Sequence, residues 1–176
     1  MKVFSTGQYY SNGRNIICHA MKGGSHSAIL QAAAEMSLLI KELAKDSVLV
    51  PVPSHLGYAT YTLELAKEVA KRTGIRVADV LKGEHRRTLY EMKASGEVIP
   101  KDYLKMHIQG HLPSERIILV DNVLATGQTA QVALEAVRSA DLLVYAVDGN
   151  TLLTMFTLYT VVKYTILSCL CQEFLI

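Results

Sequence analysis

Ile117-Ile118-Leu119-Val120-Asp121-Asn122-Val123-Leu124-Ala125-Thr126-Gly127-Gln128-Thr129 is the stretch on which the fold turns. An unbroken run of branched apolar residues, without polar alternation, is the pattern of a strand covered on both faces, as in parallel sheets. The acid Asp121 and the amide Asn122 end the run. Ala-Thr-Gly-Gln-Thr then opens a helix expected over residues 129–140, with Val132, Ala133, Ala136 and Val137 on one face. Strand, polar pair, short loop and helix in that order deliver a ligand to a helix N-terminus.

The first turn of such a helix has free N–H groups and the positive end of the dipole, so it favours a phosphate. Gly127 lets the backbone approach closely, and the hydroxyls of Thr126 and Thr129 add donors that rotate with the ligand. Asp121 and Asn122 suit hydrogen bonds to a pair of sugar hydroxyls. In open α/β sheets, ligands gather at this carboxyl edge.

Working outward, Leu142 to Val147 reads as the next strand, and Ser47 to Val52 as an earlier one ended by Pro51 and Pro53. Residues 60–73 carry Leu63, Ala66, Val69 and Ala70 at helical spacing, with Gly74 placed for a C-cap. Ile29, Ala33, Met36, Ile40 and Leu43 mark a helix of roughly five turns, capped by Ser25 or Ser27. Residues 3–22 are expected to form a β-hairpin turning at Ser11-Asn12-Gly13. Residues 75–81 are expected to be one strand. Residues 82–115, polar and poorly periodic, are either a functional lid or a segment with short elements of its own. Alternation of strand and helix gives an α/β chain with an open, mostly parallel twisted sheet flanked by helices.

The 176 residues suit one domain. A formal net charge of +2 is too small to argue for direct nucleic-acid binding, so function must come from local clusters. Cys18, Cys169 and Cys171 have neither metal-ligand spacing nor a disulfide framework, and the polar start Met-Lys-Val-Phe-Ser-Thr-Gly-Gln is not expected to act as a signal peptide. A reducing cytoplasm is the expected setting. The domain is expected to span residues 1–150, followed by an apolar extension at 151–176 whose only charges are Lys163 and Glu173. Its length would suffice for a membrane span of roughly 20 residues. A central lysine and five threonines argue against one, in favour of one or two buried strands or a shifted reading frame.

The Ile117–Thr129 stretch resembles the PRPP-binding signature of the type I phosphoribosyltransferases, in which apolar residues and two acids precede a Thr-Gly-x-Thr phosphate loop (PRPP is 5-phosphoribosyl-1-pyrophosphate). Tyr9-Tyr10, Ala20-Met21-Lys22-Gly23-Gly24, Val50-Pro51-Val52-Pro53, Gly57-Tyr58 and Arg86-Arg87-Thr88 follow the landmark order of the competence-protein F (ComF) branch. The resemblance covers residues 8–148 and implies that family's fold, with a small hood at 1–46 over a PRPP-binding core at 47–150. It implies transfer of a phosphoribosyl group from PRPP to a nucleobase-like nitrogen acceptor, with Mg²⁺ as cofactor and release of pyrophosphate. It assigns Asp121 and Asn122 to the ribose hydroxyls, Ala125, Thr126, Gly127, Gln128 and Thr129 to the 5′-phosphate, and Ser54, His55, Leu56 and Gly57 to pyrophosphate. Arg86 and Arg87 fall in the loop that closes over the reaction, Asp121 is the residue nearest the metal, and a homodimer is the expected assembly. Asn122 stands where the family has a second acid, and His55-Leu56-Gly57-Tyr58-Ala59-Thr60 replaces the branch's basic stretch. Those departures raise the alternatives of a PRPP- or nucleotide-sensing module without catalysis, or a ComF-like DNA-uptake accessory.

Overall fold

The computed structural model describes residues 1–100 and 103–148. The elements run β1 (Val3–Ser5), α1 (Arg14–Lys22), α2 (His26–Ile40), a 3₁₀ turn (Lys41–Asp46), β2 (Ser47–Pro51) and α3 (Tyr61–Thr73). They continue with β3 (Arg76–Val77), β4 (Leu81–Gly83), α4 (Leu89–Ala94), β5 (Met106–Ile108), β6 (Arg116–Leu124), α5 (Gln128–Val137) and β7 (Asp141–Val147). The extension at 151–176, with its expected buried strands, lies outside the described residues. Among those described, no helix is long and apolar enough to cross a membrane.

Five strands form one sheet in the order β1-β7-β6-β2-β3, and every pair in it is parallel. This is the expected open, parallel α/β sheet. Alternation along each strand divides its side chains between two helical layers. Leu49, Ile118, Val120, Leu143 and Tyr145 pack with Met21, Ile29, Met36, Leu65 and Val69 of α1, α2 and α3. Val48, Val50, Ile117, Leu119, Leu142 and Val144 pack with Ala130, Ala133 and Val137 of α5 and with Leu81 of β4. Because both faces are covered, the strands carry apolar residues without a break.

Sequence and structure part company at the amino end. The expected hairpin at 3–22 is replaced by one short strand and a helix. Val3–Ser5 pairs with Leu142–Val144 of β7, and Arg14–Lys22 coils from Gly13, whose φ of 69° is the left-handed entry that glycine permits. Ile16 and Ile17 favour strands only weakly, while helical spacing buries Cys18 and Met21 together against the sheet. Residues 1–46, expected as a hood with a hairpin, thus add an edge strand and two helices to the common core. Ser25 caps α2, accepting the Ala28 N–H at 3.4 Å, and an alanine-rich face of Ala28, Ala32 and Ala33 is buried toward α3.

The strand expected over 75–81 is divided. Arg76–Val77 pairs with β2, and the Ala78 N–H still donates to the Leu49 carbonyl at 2.9 Å. The chain then leaves the sheet, and β4 pairs antiparallel with β5. Residues 82–115 accordingly contain short elements of their own.

α3 covers one face of the sheet in passing from β2 to β3, and α5 covers the other in passing from β6 to β7. The paths diverge between β2 and β6, leaving a crevice beyond their carboxyl ends, the place where such sheets bind ligands. One wall is the loop after β2. Its Gly57 has φ 88° and an O that accepts the Gly83 N–H at 2.8 Å. A Cβ on Gly57 would lie 2.7 Å from the Gly83 carbonyl oxygen.

Gly57→Ala should therefore cost about 2 kcal/mol or more in urea denaturation, from the left-handed backbone and the backbone clash together. Gly96→Ala, at φ 71° with nothing within 4 Å, should cost only about 1 kcal/mol. Equal losses at the two positions would remove the close approach as the cause.

Candidate functional site

The crevice contains a cavity of about 360 Å³, within the usual range for ligand sites. Its rim is the β6–α5 loop. Gly127, at φ 77°, is the N-cap of α5 and no side chain caps the helix. The Gly127 carbonyl accepts the Gln131 N–H at 2.8 Å, so the helix begins abruptly with its first amides uncapped by any side chain. Ala125, Thr126, Gly127 and Thr129 line the cavity. Gln128 is exposed and does not, although its Oε1 lies 3.5 Å from Thr126 Oγ1. An uncapped N-terminus with two hydroxyls beside it is built to accept an anion.

β6 extends past the expected stop at Val120 as far as Leu124, because pairing with β7 continues to Leu124↔Val147. Asp121 and Asn122 therefore sit inside the strand, and pleating sends neighbouring side chains to opposite faces. Asp121, half-buried, is the one carboxylate lining the cavity. Its Oδ1 accepts the Asn122 N–H at 2.7 Å. Burial pushes its carboxyl up to about 6, against the opposing pulls of that N–H and of the Lys22 ammonium. Asn122, only 1% exposed, turns its amide into the α1–α3 layer. There Nδ2 donates to the Cys18 carbonyl at 3.3 Å and Oδ1 accepts from the Tyr61 hydroxyl at 3.3 Å. Both residues line the cavity, but the Asn122 amide is engaged by Cys18 and Tyr61.

Of the loop after β2, Ser54 lines the cavity, whereas His55, Leu56 and Gly57 form the support behind it. Ser54 Oγ accepts the Leu56 N–H at 3.2 Å and donates to the Tyr58 carbonyl at 3.1 Å. The His55 carbonyl accepts the Arg86 N–H at 2.8 Å. That bond brings Arg86 to the cavity wall, its guanidinium 5.7 Å from the Tyr103 ring centre. Burial draws the Arg86 guanidinium below its ordinary value, with Tyr103 opposing. Arg87 points elsewhere, donating to Glu97 Oε1 at 2.6 Å. The expected arginine pair thus separates into one cavity residue and one surface ion pair.

Lys22, Tyr61, Thr88, Leu89 and Tyr90 also line the cavity and were not among the expected site residues. Lys22 and Tyr61 had a usable signal: each is a terminal residue of a helix, α1 or α3, pointing to the carboxyl edge of the sheet. Reading residues 3–22 as a β-hairpin hid the first. Among the described residues, no three His, Cys, Asp or Glu side chains gather as a metal cage.

No family model matches the chain, and no curated protein matches it. Among solved structures, it is similar to a purine phosphoribosyltransferase from Pyrococcus horikoshii Ot3, with a TM-score of 0.45 and 19% identity over 69% of this chain and 74% of that one. The ComF-like branch draws no support from these comparisons.

The raised Asp121 carboxyl predicts a particular pH dependence. Between 3.8 and about 6 the folded chain holds a proton that the unfolded chain has released, so stability falls as pH rises through that window. Ionised Asp121 is then a standing cost at neutral pH of up to about 3 kcal/mol, less to the extent that water reaches it. Asp121→Asn should raise unfolding free energy at pH 7.5 by about 1–3 kcal/mol, and the gain should vanish near pH 4. A gain of equal size at both pH values, or a loss at pH 7.5, would contradict this reading.

Proposed function

We propose that the chain is a phosphoribosyltransferase that binds PRPP in this crevice and transfers the phosphoribosyl group to a nucleobase-like nitrogen acceptor, releasing pyrophosphate. One observation supports it above the rest: the uncapped N-terminus of α5, with Thr126 and Thr129, opens onto the same cavity as the half-buried Asp121 carboxylate. That pairing offers donors to a phosphate and an acceptor to a sugar hydroxyl.

In the reaction, the bond from C1 of the ribose to the pyrophosphate oxygen breaks and a bond from C1 to the acceptor nitrogen forms. Positive charge develops on the sugar ring and negative charge on the leaving group. The protein's task is positioning and electrostatic stabilisation, without a covalent nucleophile. The first amides of α5 and the hydroxyls of Thr126 and Thr129 hold the 5′-phosphate. Asp121, with one oxygen engaged by the Asn122 N–H, offers its other oxygen to the sugar and its charge to the developing cation. Arg86 and Ser54, on the opposite wall, face the departing pyrophosphate, where a guanidinium is suited to bidentate contact. Mg²⁺ is compatible with a site of this kind: it takes phosphate oxygens, water and one or two carboxylates, Asp121 would be its protein ligand, and it would neutralise charge on the pyrophosphate. Tyr103 and residues 84–90 border Arg86 and would limit water access to the reacting carbon.

A second reading, a PRPP-sensing module without turnover, is favoured by one specific observation. With Asn122 neutral and turned inward, a single carboxylate faces the ligand.

Titration calorimetry with PRPP and Mg²⁺, together with pyrophosphate release across a panel of nucleobases, distinguishes the two. Binding with turnover is the expected result, and binding without turnover would favour the sensor. The Thr126→Ala/Thr129→Ala double variant should lose about tenfold or more in PRPP affinity, the scale of one or two hydrogen bonds to a charged group. Undiminished affinity in that variant, or none in the wild type, would sink the proposal.

A further inference from the structure

A buried primary amide has a donor end and an acceptor end, and its partners decide which faces where. For Asn122, the partner on the α1 side is the Cys18 carbonyl, which can only accept. The NH₂ end is thereby directed to α1, and Oδ1 to the Tyr61 hydroxyl of α3. An amide oxygen cannot donate, so the phenol proton of Tyr61 is committed inward. A second tie stiffens the arrangement: the Cys18 thiol donates to the Asn122 carbonyl at 3.6 Å.

Tyr61 also lines the cavity. Its hydroxyl partner Asn122 lines the cavity as well, and with its proton engaged the phenol oxygen has only lone pairs to offer a ligand. Burial first, then the Asp121 carboxylate, keeps the phenol well above its ordinary pKa, and so neutral. A neutral oxygen that has given up its donor is selective for ligand groups that donate, and a sugar hydroxyl is such a group. Ionised phosphate oxygens, which only accept, gain nothing there.

We infer that Tyr61 is a further ligand-contacting residue, its oxygen accepting a hydrogen bond from a sugar hydroxyl of the bound phosphoribosyl compound, with Asn122 as the positioning residue that sets the direction. The inference rests on the proposed reading of the cavity as a PRPP site. Asp121 and Tyr61 then supply two acceptors for the sugar from two different elements, β6 and α3. The amide between them serves as their brace.

The test compares affinities for ribose 5-phosphate and inorganic phosphate by calorimetry, since only the first carries hydroxyl donors on a sugar. Tyr61→Phe should weaken ribose 5-phosphate binding about fivefold to tenfold, the scale of one hydrogen bond, and leave inorganic phosphate unchanged. Asn122→Asp serves as the second variant. Buried and protonated, its carboxyl reproduces both the donor and the acceptor of the amide, so it should retain the wild-type ratio of the two affinities. An unchanged ratio in Tyr61→Phe would overturn the role of Tyr61 while leaving the phosphate site standing. If Tyr61→Phe fails to melt cooperatively, a collapsed ratio in folded Asn122→Asp would overturn it instead. Wild-type protein that binds neither compound would refute the PRPP reading itself, a result distinct from both.

Discussion

The alternation of β6 is the constraint from which the rest of the site follows. A central strand of a parallel sheet must present every second residue to each helical layer, and β6 does so from Ile117 through Val120. An acid and an amide adjacent in sequence thereby meet different partners. Both line the cavity, but the Asn122 amide is tied to Cys18 and Tyr61 of the α1–α3 layer, while Asp121 is held only by the Asn122 N–H. On the proposed reading, two residues that look like a matched pair become a ligand and a brace. The pairing with β2 on one side and β7 on the other fixes this phase, since a slip of one residue would exchange the two faces.

The same strand carries groups whose demands conflict with stability. Asp121 is half-buried with its carboxyl pushed up, and α5 begins without a side-chain cap. A domain built for stability alone would place a neutral side chain at 121 and a serine or aspartate at the N-cap. Both departures occur within a few residues and open onto one cavity. That coincidence, more than either feature alone, makes the carboxyl edge the candidate functional region. Elsewhere the described chain satisfies its polar groups closely: Ser47 Oγ is the only buried side-chain atom without a partner among the described residues.

Much of this was legible in the sequence because the decisive elements are locally consistent. β2, β6 and β7 are continuous apolar runs, and α2 and α3 have apolar residues at helical spacing with a serine cap or a glycine stop. α1 was not legible. Ile16 and Ile17 suggest a strand, and only the tertiary contacts that bury Cys18 and Met21 reverse a weak local preference. The break after Val77 was hidden for a related reason, since β4 leaves the main sheet to reach β5, far along the chain. Within the site, chemistry was easier to read than direction. Ser54, Arg86, Asp121, Asn122, Ala125, Thr126, Gly127 and Thr129 converge on the cavity, but sequence spacing could not tell Arg86 from Arg87, nor that the Asn122 amide would be held by Cys18 and Tyr61. What separates Arg86 from Arg87 is a single backbone bond from the Arg86 N–H to His55. What separates Asp121 from Asn122 is the pair of bonds that engages the Asn122 amide.

The electrostatics of the cavity narrow its ligand further than its shape does. Lys22 and Arg86 supply two cations, α5 adds the positive end of its dipole, and Asp121 is the one opposing charge on the lining. The chain's formal charge of +2 is too slight to produce such a field at a distance, so the attraction is local and acts over a few ångströms. A neutral ligand would leave these charges uncompensated, and a purely anionic one would leave the Asp121 carboxylate facing like charge. A ligand that combines anionic groups with hydroxyl donors would answer both kinds of charge, and the phosphoribosyl compound proposed above is of that kind.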